Sequence, residues 1–349
     1  MRIHRHTARF ASLAAAALIL VTGLAPLRGQ AQSSGARKRI TVSLSDVSIN
    51  KIPFIIAENE GLYTKYGLEV VMTPFSASAA RVHGVPDEVP KEIRDAVVGA
   101  NISIGGGAPG MVSKAEASEP NDRVILATTD HIVHWHVVPA DKNVTRIEQL
   151  KGKRFAISGL SACTGTVALV LAKRMGWDPR FDMAILEGNY SVTPLQKGWV
   201  DALIAYEVPL SMAMKAGYKP LELDMRAWNE SIPCNGVWAS KSWAHANHDA
   251  VIAYLKAVTE AISMMKKDKE VAFRAMAKYY KFTDREQQQV IYNGAAEMPR
   301  APYPAVEGIK NAMKLYDSAS MRRFKAEDFY DDSFMKELDQ SGFIDNLYK

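Results

Sequence analysis

The strongest constraint on this chain is an alternation of strand-like and helix-like segments that runs to about residue 130 and then starts again. "RITVSLSD", from Arg39, is a β-branched run with period-two polarity and reads as a strand. "KIPFIIAENEGLYTKYG" follows, with Phe54, Ile55, Ala57, Leu62 and Tyr66 on one helical face and Gly67 at its end. "LEVVMTPF", "GANISIGGG" and "DRVILATTD" are further strands, with "PGMVSKAEAS" a short helix between the last two. Strands alternating with helices predict a mainly parallel sheet with helices on its faces.

The same pattern restarts with "HWHVVPAD", "KRFAIS", "MAILEG", "VDALIAY" and "KPLEL" as strands. "RIEQLKG", "TGTVALVLAKRMG", "SVTPLQKG" and "PLSMAMKAG" are the helices between them. "NGVWASKSW" reads as one more strand. After it, Val251, Tyr254, Leu255, Val258, Ile262 and Met265 recur at helical spacing, and helices dominate to the end. Two α/β units with a helical tail predict a discontinuous first lobe, 40–132 and 229–349, around a second lobe, 133–228. The chain then crosses between lobes near Thr129–His134 and Arg226–Asn235. Ligands of open α/β sheets bind beyond the carboxyl ends of the strands, so two facing lobes make a cleft able to close about a hinge.

The loops at those strand ends carry the candidate chemistry. "SGLSACTGTVAL" delivers Ser161, Cys163, Thr164, Gly165 and Thr166 to the start of a helix. Hydroxyls there can cap unpaired N–H groups, or the same N–H groups and the helix dipole can hold an anion. "IGGGAPG" offers Gly106, Gly107 and Ala108, a backbone concavity or a plain strand-to-helix turn. No Gly-Lys-Ser/Thr follows it, so it is not a phosphate loop of the Walker type. Asp130 and His131 fall at the first crossing and Asn235 at the second. Tyr206 and Glu207 follow a strand, and Asp46 and Asn50 follow the first one. His134 and His136 share one strand face while Trp135, a candidate aromatic contact, points the other way. No further ligands stand at a recognisable spacing, so no metal is expected.

Cys163 and Cys234 are the only cysteines, and their separation decides neither for nor against a disulfide. Left free, Cys163 at a helix N-terminus has the position of an activated thiol.

Several segments in this order resemble the periplasmic substrate-binding proteins of ABC importers, in the nitrate/sulfonate/taurine-type group that includes thiamine-pyrimidine-precursor binders. They are Ala57, Asn59–Tyr63 and Gly67–Leu68; "GANISIGGGAPGMVSKA"; "IEQLKGKRFAIS" running into "GLSACTGTVALVLAKRMGW"; and "LQKGWVDALIAYEVP". The resemblance spans about residues 40–270. "ARVHGVPDEVPKEIRDAVV" departs from it, standing where the family has a short helix. The resemblance implies a two-lobed periplasmic-binding-protein fold of type II-like organisation and a ligand held by the "SGLSACTGT" loop. It also implies delivery to the membrane subunits of an ABC importer, with a monomer, no cofactor and no turnover. Small-residue loops favour an organic anion such as a sulfonate or carboxylate, and aromatics near the crossings suit a heteroaromatic solute such as a pyrimidine. No arginine sits in the cleft segments, which disfavours a clamped nitrate. Two alternatives stay open: an enzyme on the same fold using Cys163, and a sensor subunit for a membrane receptor.

The first 31 residues read as a cleavable export signal, with Arg2, Arg5 and Arg9, an apolar run and small residues near Ala31; a linker covers 32–39. Removing the signal takes away four arginines and no acid, so a formal charge of +5 falls to +1. That leaves no basic excess to suggest nucleic acid. The expected compartment is the periplasm, which is oxidising.

Overall fold

The computed structural model describes residues 36–44, 51–73, 100–117, 122–130, 134–188, 191–280, 282–316 and 318–349. Asp46, Asn50, His131, the predicted signal, residues 32–35 of the linker and the departing stretch at 80–98 lie outside the described residues.

Two sheets of five strands carry the fold. The first has the order β2-β1-β3-β10-β4, built from β1 (Lys38–Ser43), β2 (Leu68–Thr73), β3 (Ile102–Ile104), β4 (Arg123–Thr128) and β10 (Gly236–Ser240). The second has the order β7-β6-β8-β5-β9, built from β5 (His134–Pro139), β6 (Lys153–Ala156), β7 (Met183–Leu186), β8 (Ala202–Ala205) and β9 (Leu221–Asp224). The two orders are equivalent. In each sheet the strand entered directly after a crossing, β5 or β10, lies fourth and runs antiparallel to both neighbours. The remaining pairings are parallel. Parallel neighbours need crossover helices, and the alternation in the sequence supplies them.

Helices cover the sheets. In chain order they are α1 (Ile52–Asn59), α2 (Leu62–Lys65), α3 (Gly107–Ala117), α4 (Cys163–Met175), α5 (Thr193–Gln196), α6 (Glu207–Lys215), α7 (Lys241–Ala246), α8 (His248–Lys267) and α9 (Lys269–Ala275). Then follow α10 (Arg285–Ala295), α11 (Val306–Met313), α12 (Ser333–Gln340) and α13 (Phe343–Asn346). The single helix expected over 51–67 is two, because Gly61 adopts a left-handed conformation at φ 68° and re-aims the chain. The longest helix, α8, buries Val251, Tyr254, Leu255, Val258, Ile262 and Met265, the stripe its spacing predicts. Tyr254 stacks on Tyr63 at 5.4 Å and on Phe54 at 6.4 Å between ring centres, joining the helical tail to α1 and α2 beside the first sheet.

The second sheet has its own core. Trp135, Val137, Phe155, Val167, Leu171, Ile204 and Leu223 form it together with both cysteines. Trp135 is fully buried there, 4.3 Å from the Tyr206 ring, so it is a core residue and not a ligand contact. The units touch through α6 and α10: Val208 enters the first core, Gln287 Nε2 donates to Ser211 Oγ at 3.3 Å, and Lys215 pairs with Asp284 at 3.2 Å.

Candidate functional site

The second crossing is where the predicted site residues meet. Cys234 bonds to Cys163 at the start of α4, with Cα atoms 5.8 Å apart. The crossing thus anchors to the second core two residues before the chain re-enters the first sheet at Gly236. The reading of Cys163 as an activated thiol fails here, because a disulfide sulfur has no thiolate to offer.

Asp130, at the end of β4, clamps the same segment from the other side. Its Oδ1 accepts from the backbone N–H of Cys234 at 2.9 Å and of Asn235 at 2.8 Å. Asn235 Nδ2 donates to Thr129 Oγ1 at 2.6 Å, and Thr129 N donates to the Asn235 carbonyl at 3.1 Å. The "IGGGAPG" loop joins through its backbone: Gly105 N donates to Gly236 O at 3.1 Å and Ala108 N to Pro233 O at 3.3 Å. A Cβ on Gly107 would stand 2.1 Å from Pro233 O, and one on Gly308 of α11 2.3 Å from the Pro233 ring. Gly107 therefore serves packing against the crossing, while Gly106 stays half-buried. Residues 233–235 are held by the disulfide, by Asp130, by the α3 entry loop and by the packing of Gly308 on Pro233.

The loop entering α4 folds back on itself. Thr164 Oγ1 accepts from Ser158 N at 3.0 Å and bonds Ser158 Oγ at 2.7 Å. Leu160 N donates to Glu187 Oε2 at 2.9 Å. The helix begins at Cys163 with Ala162 at the cap position and no side-chain cap, so the Thr164 hydroxyl ties the loop and does not cap the helix. A Cβ on Gly165 would meet Leu160 O at 2.3 Å and Gly159 O at 2.5 Å, so its smallness admits the loop backbone and not a ligand. Ser161 is exposed at the loop's outer edge, and Thr166 is buried one turn into the helix. Tyr206 is half-buried at the N-cap position of α6 and makes no side-chain cap bond there, while the Glu207 side chain lies outside the described residues.

Burial pushes the Asp130 carboxyl up to about 6, opposed by the Asn235 N–H, by Lys51 and by the Cys234 N–H. Its Oδ2 is buried and has no hydrogen-bond partner among the described residues. Lys51 beside it is only 1 % exposed. The sequence reading passed over Lys51, although a lone cation immediately before the apolar run "IPFIIA" is a usable signal.

His134 sits beyond the first crossing and bonds two carboxylates, Glu222 through Nδ1 and Glu297 through Nε2, each at 3.0 Å. Only the imidazolium donates from both nitrogens. The Glu222 and Glu297 bonds raise its pKa above the ordinary 6.5, while burial lowers that of His136. A proton NMR titration should therefore give His134 the higher midpoint of the two. The stabilisation from His134 is present below 6.5 and fades as pH rises through its folded value. Equal midpoints, or the reverse order, would refute this.

Two equivalent five-stranded mixed sheets, helix-flanked and linked by two crossings, define the periplasmic-binding-protein fold. The model of the family described as NMT1/THI5 like matches residues 95–272, just over half of the chain, and the chain belongs to that family. No curated protein matches it. Among solved structures, the periplasmic sulfonate-binding protein SsuA from Methylobacillus flagellatus KT aligns with TM-score 0.63 and 17 % identity, covering 88 % of this chain and 96 % of that one. The periplasmic nitrate-binding protein NrtA from Synechocystis PCC 6803 aligns with TM-score 0.63 and 14 % identity over 87 % and 89 %. The desulfurization enzyme DSZB aligns with TM-score 0.55 and 14 % identity over 87 % and 100 %. At these identities the likeness is one of fold. Among the described residues no helix is long and apolar enough to cross a membrane, and no cluster of His, Cys, Asp and Glu has the geometry of a metal site.

Proposed function

We propose that the chain is an exported solute-binding protein that takes a small organic anion or heteroaromatic solute between its two lobes and delivers it to an ABC importer. The carrying observation is the convergence of the α3 and α4 entry loops on the second crossing, with the first turn of α4 left without a side-chain cap. N–H groups in that position suit a sulfonate or carboxylate, and Ser161, Gly106, Tyr206 and Asn235 supply the surrounding contacts. Asp46, Asn50, His131 and Glu207 belong to the same proposed set from the sequence reading. A solute touching both lobes favours the closed arrangement by its differential affinity. Export through the signal at 1–31, the lobe limits at 132 and 228 and a monomeric state are parts of the same proposal.

The enzymatic alternative is carried by the DSZB likeness and by Cys163. The disulfide counts against the second, since it leaves no thiol to attack.

Thermal unfolding of the mature protein against sulfonates, carboxylates and pyrimidines tests the proposal. Bound at a hundred times its Kd, a solute adds about 2.7 kcal/mol to stability, and Tm should rise by roughly 5–10 °C. A flat response across all three classes, with no co-purified solute in native mass spectrometry, would reject this ligand class.

A further inference from the structure

A groove of about 490 Å³ lies away from the α3 and α4 entry loops, and its size is ordinary for a small-molecule site. One wall is the C-terminal half of α4, presenting Val170, Lys173 and Arg174. The other is α11 and the residues just after it, presenting Asn311 and Lys314. The floor is the first part of the second crossing, from Met225 to Ser231, with Trp228 half-buried in it. The groove thus spans an element of each unit and the segment that joins them.

Its charges are unbalanced. Arg174 is committed to the Trp228 carbonyl and to Glu230 at 3.4 Å, and Glu307 is committed to Lys310 at 2.8 Å. The Lys173 side chain has no hydrogen bond or ion pair among the described residues. Lys314 on the facing wall donates only to the neutral Asn311 side chain, at 3.1 Å. Arg226 reaches Glu297 only at 4.0 Å. The acids of the groove are spoken for, and cations remain on both walls of a groove that Trp228 also lines. The backbone is unusual at the same place. Asn229 is the one non-glycine residue with positive φ among the described residues, at 56°, in the turn that carries Trp228. Such conformations are held by their surroundings and concentrate at binding sites.

We propose that this groove is a second binding site, for a planar aromatic dianion with carboxylate or sulfonate groups. The ring lies on Trp228 and its charges reach Lys173 and Lys314 on opposite walls. Such a ligand bonds α4 and α11 together, so its occupancy is coupled to the lobe arrangement, and the coupling is reciprocal. A separate small cavity of about 10 Å³, lined by Pro109, Thr166, Ile232 and Gly308, shares Val170, Glu230, Ser231 and Asn311 with the groove. The proposal does not depend on which solute occupies the interlobe site.

Naphthalene-1,5-disulfonate is a suitable probe, followed by the indole N–H signals of the full mature protein, with Trp228→Phe assigning the relevant peak. The expected result is a saturable shift of the Trp228 peak. Binding should weaken at least ten-fold in the Lys173→Glu/Lys314→Glu double variant, whose exposed substitutions leave Tm unchanged. Equal binding by the double variant would overturn the proposal. So would equal binding of the cationic 1-naphthylmethylammonium ion. Shifts confined to the amides of residues 163–166, with Trp228 silent, would overturn it while supporting the interlobe site.

Discussion

Replacing Cys163 and Cys234 together by alanine should cost about 4 kcal/mol of stability. The bond closes a loop across 71 positions, and the chain-entropy relation for that length gives about this value. The loop encloses α4, the strands β7 through β9 and the crossing as far as Cys234, so much of the second unit is constrained in the unfolded chain. Both residues sit in the second core at under 10 % exposure, and the alanines leave only a small void. Tm should fall by roughly 10 °C, and a reductant should reproduce the fall in the unmodified protein. Solute affinity at the α4 entry should change by less than about three-fold, because backbone N–H groups there outlast the sulfurs. Two titratable thiols in the native protein as isolated from an oxidising compartment would sink the prediction, as would a reductant without effect on Tm.

The strands and helices were legible in the sequence because they rest on local periodicity. The stripe of α8 and the opposite facing of Trp135 and His134 both follow from spacing, while which of the two faces is the core does not. The candidate site was legible only as a set of loops. Gly165 and Gly107 look in sequence like places for a ligand to approach, but each is small because another backbone passes close by. Thr164 looks like a helix cap, and its hydroxyl is spent on Ser158. The disulfide and the Lys51–Asp130 neighbourhood depend on which distant segments meet, and 71- and 79-residue separations carry no information about that. Periodicity sets what faces inward; it does not set which inward groups become partners.

Asp130→Ala should be the second large effect, and its pH dependence identifies the cause. Removing the carboxylate strands the N–H groups of Cys234 and Asn235, at about 1–3 kcal/mol each if they stay buried, so a loss of roughly 2–4 kcal/mol is expected at pH 7. Asp130→Asn retains an oxygen able to accept from both and should lose far less. The carboxyl is raised from 3.8 to about 6, mainly by burial. A raised folded value means that the contribution of Asp130 is complete below its ordinary 3.8 and is lost as pH climbs through about 6. Two units of displacement correspond to about 3 kcal/mol. Neither variant can make that contribution, so the gap between wild type and either variant should widen by about that amount from pH 7 to pH 4. Carboxylates elsewhere titrate alike in all three proteins and cancel in the difference. Urea unfolding at the two pH values measures it. A gap that stays constant, or narrows at pH 4, would mean that the Asp130 carboxylate is stabilised as an anion by Lys51 more strongly than burial opposes it. The crossing would then be held by an ion pair, and not by a carboxyl that releases its proton only near neutral pH.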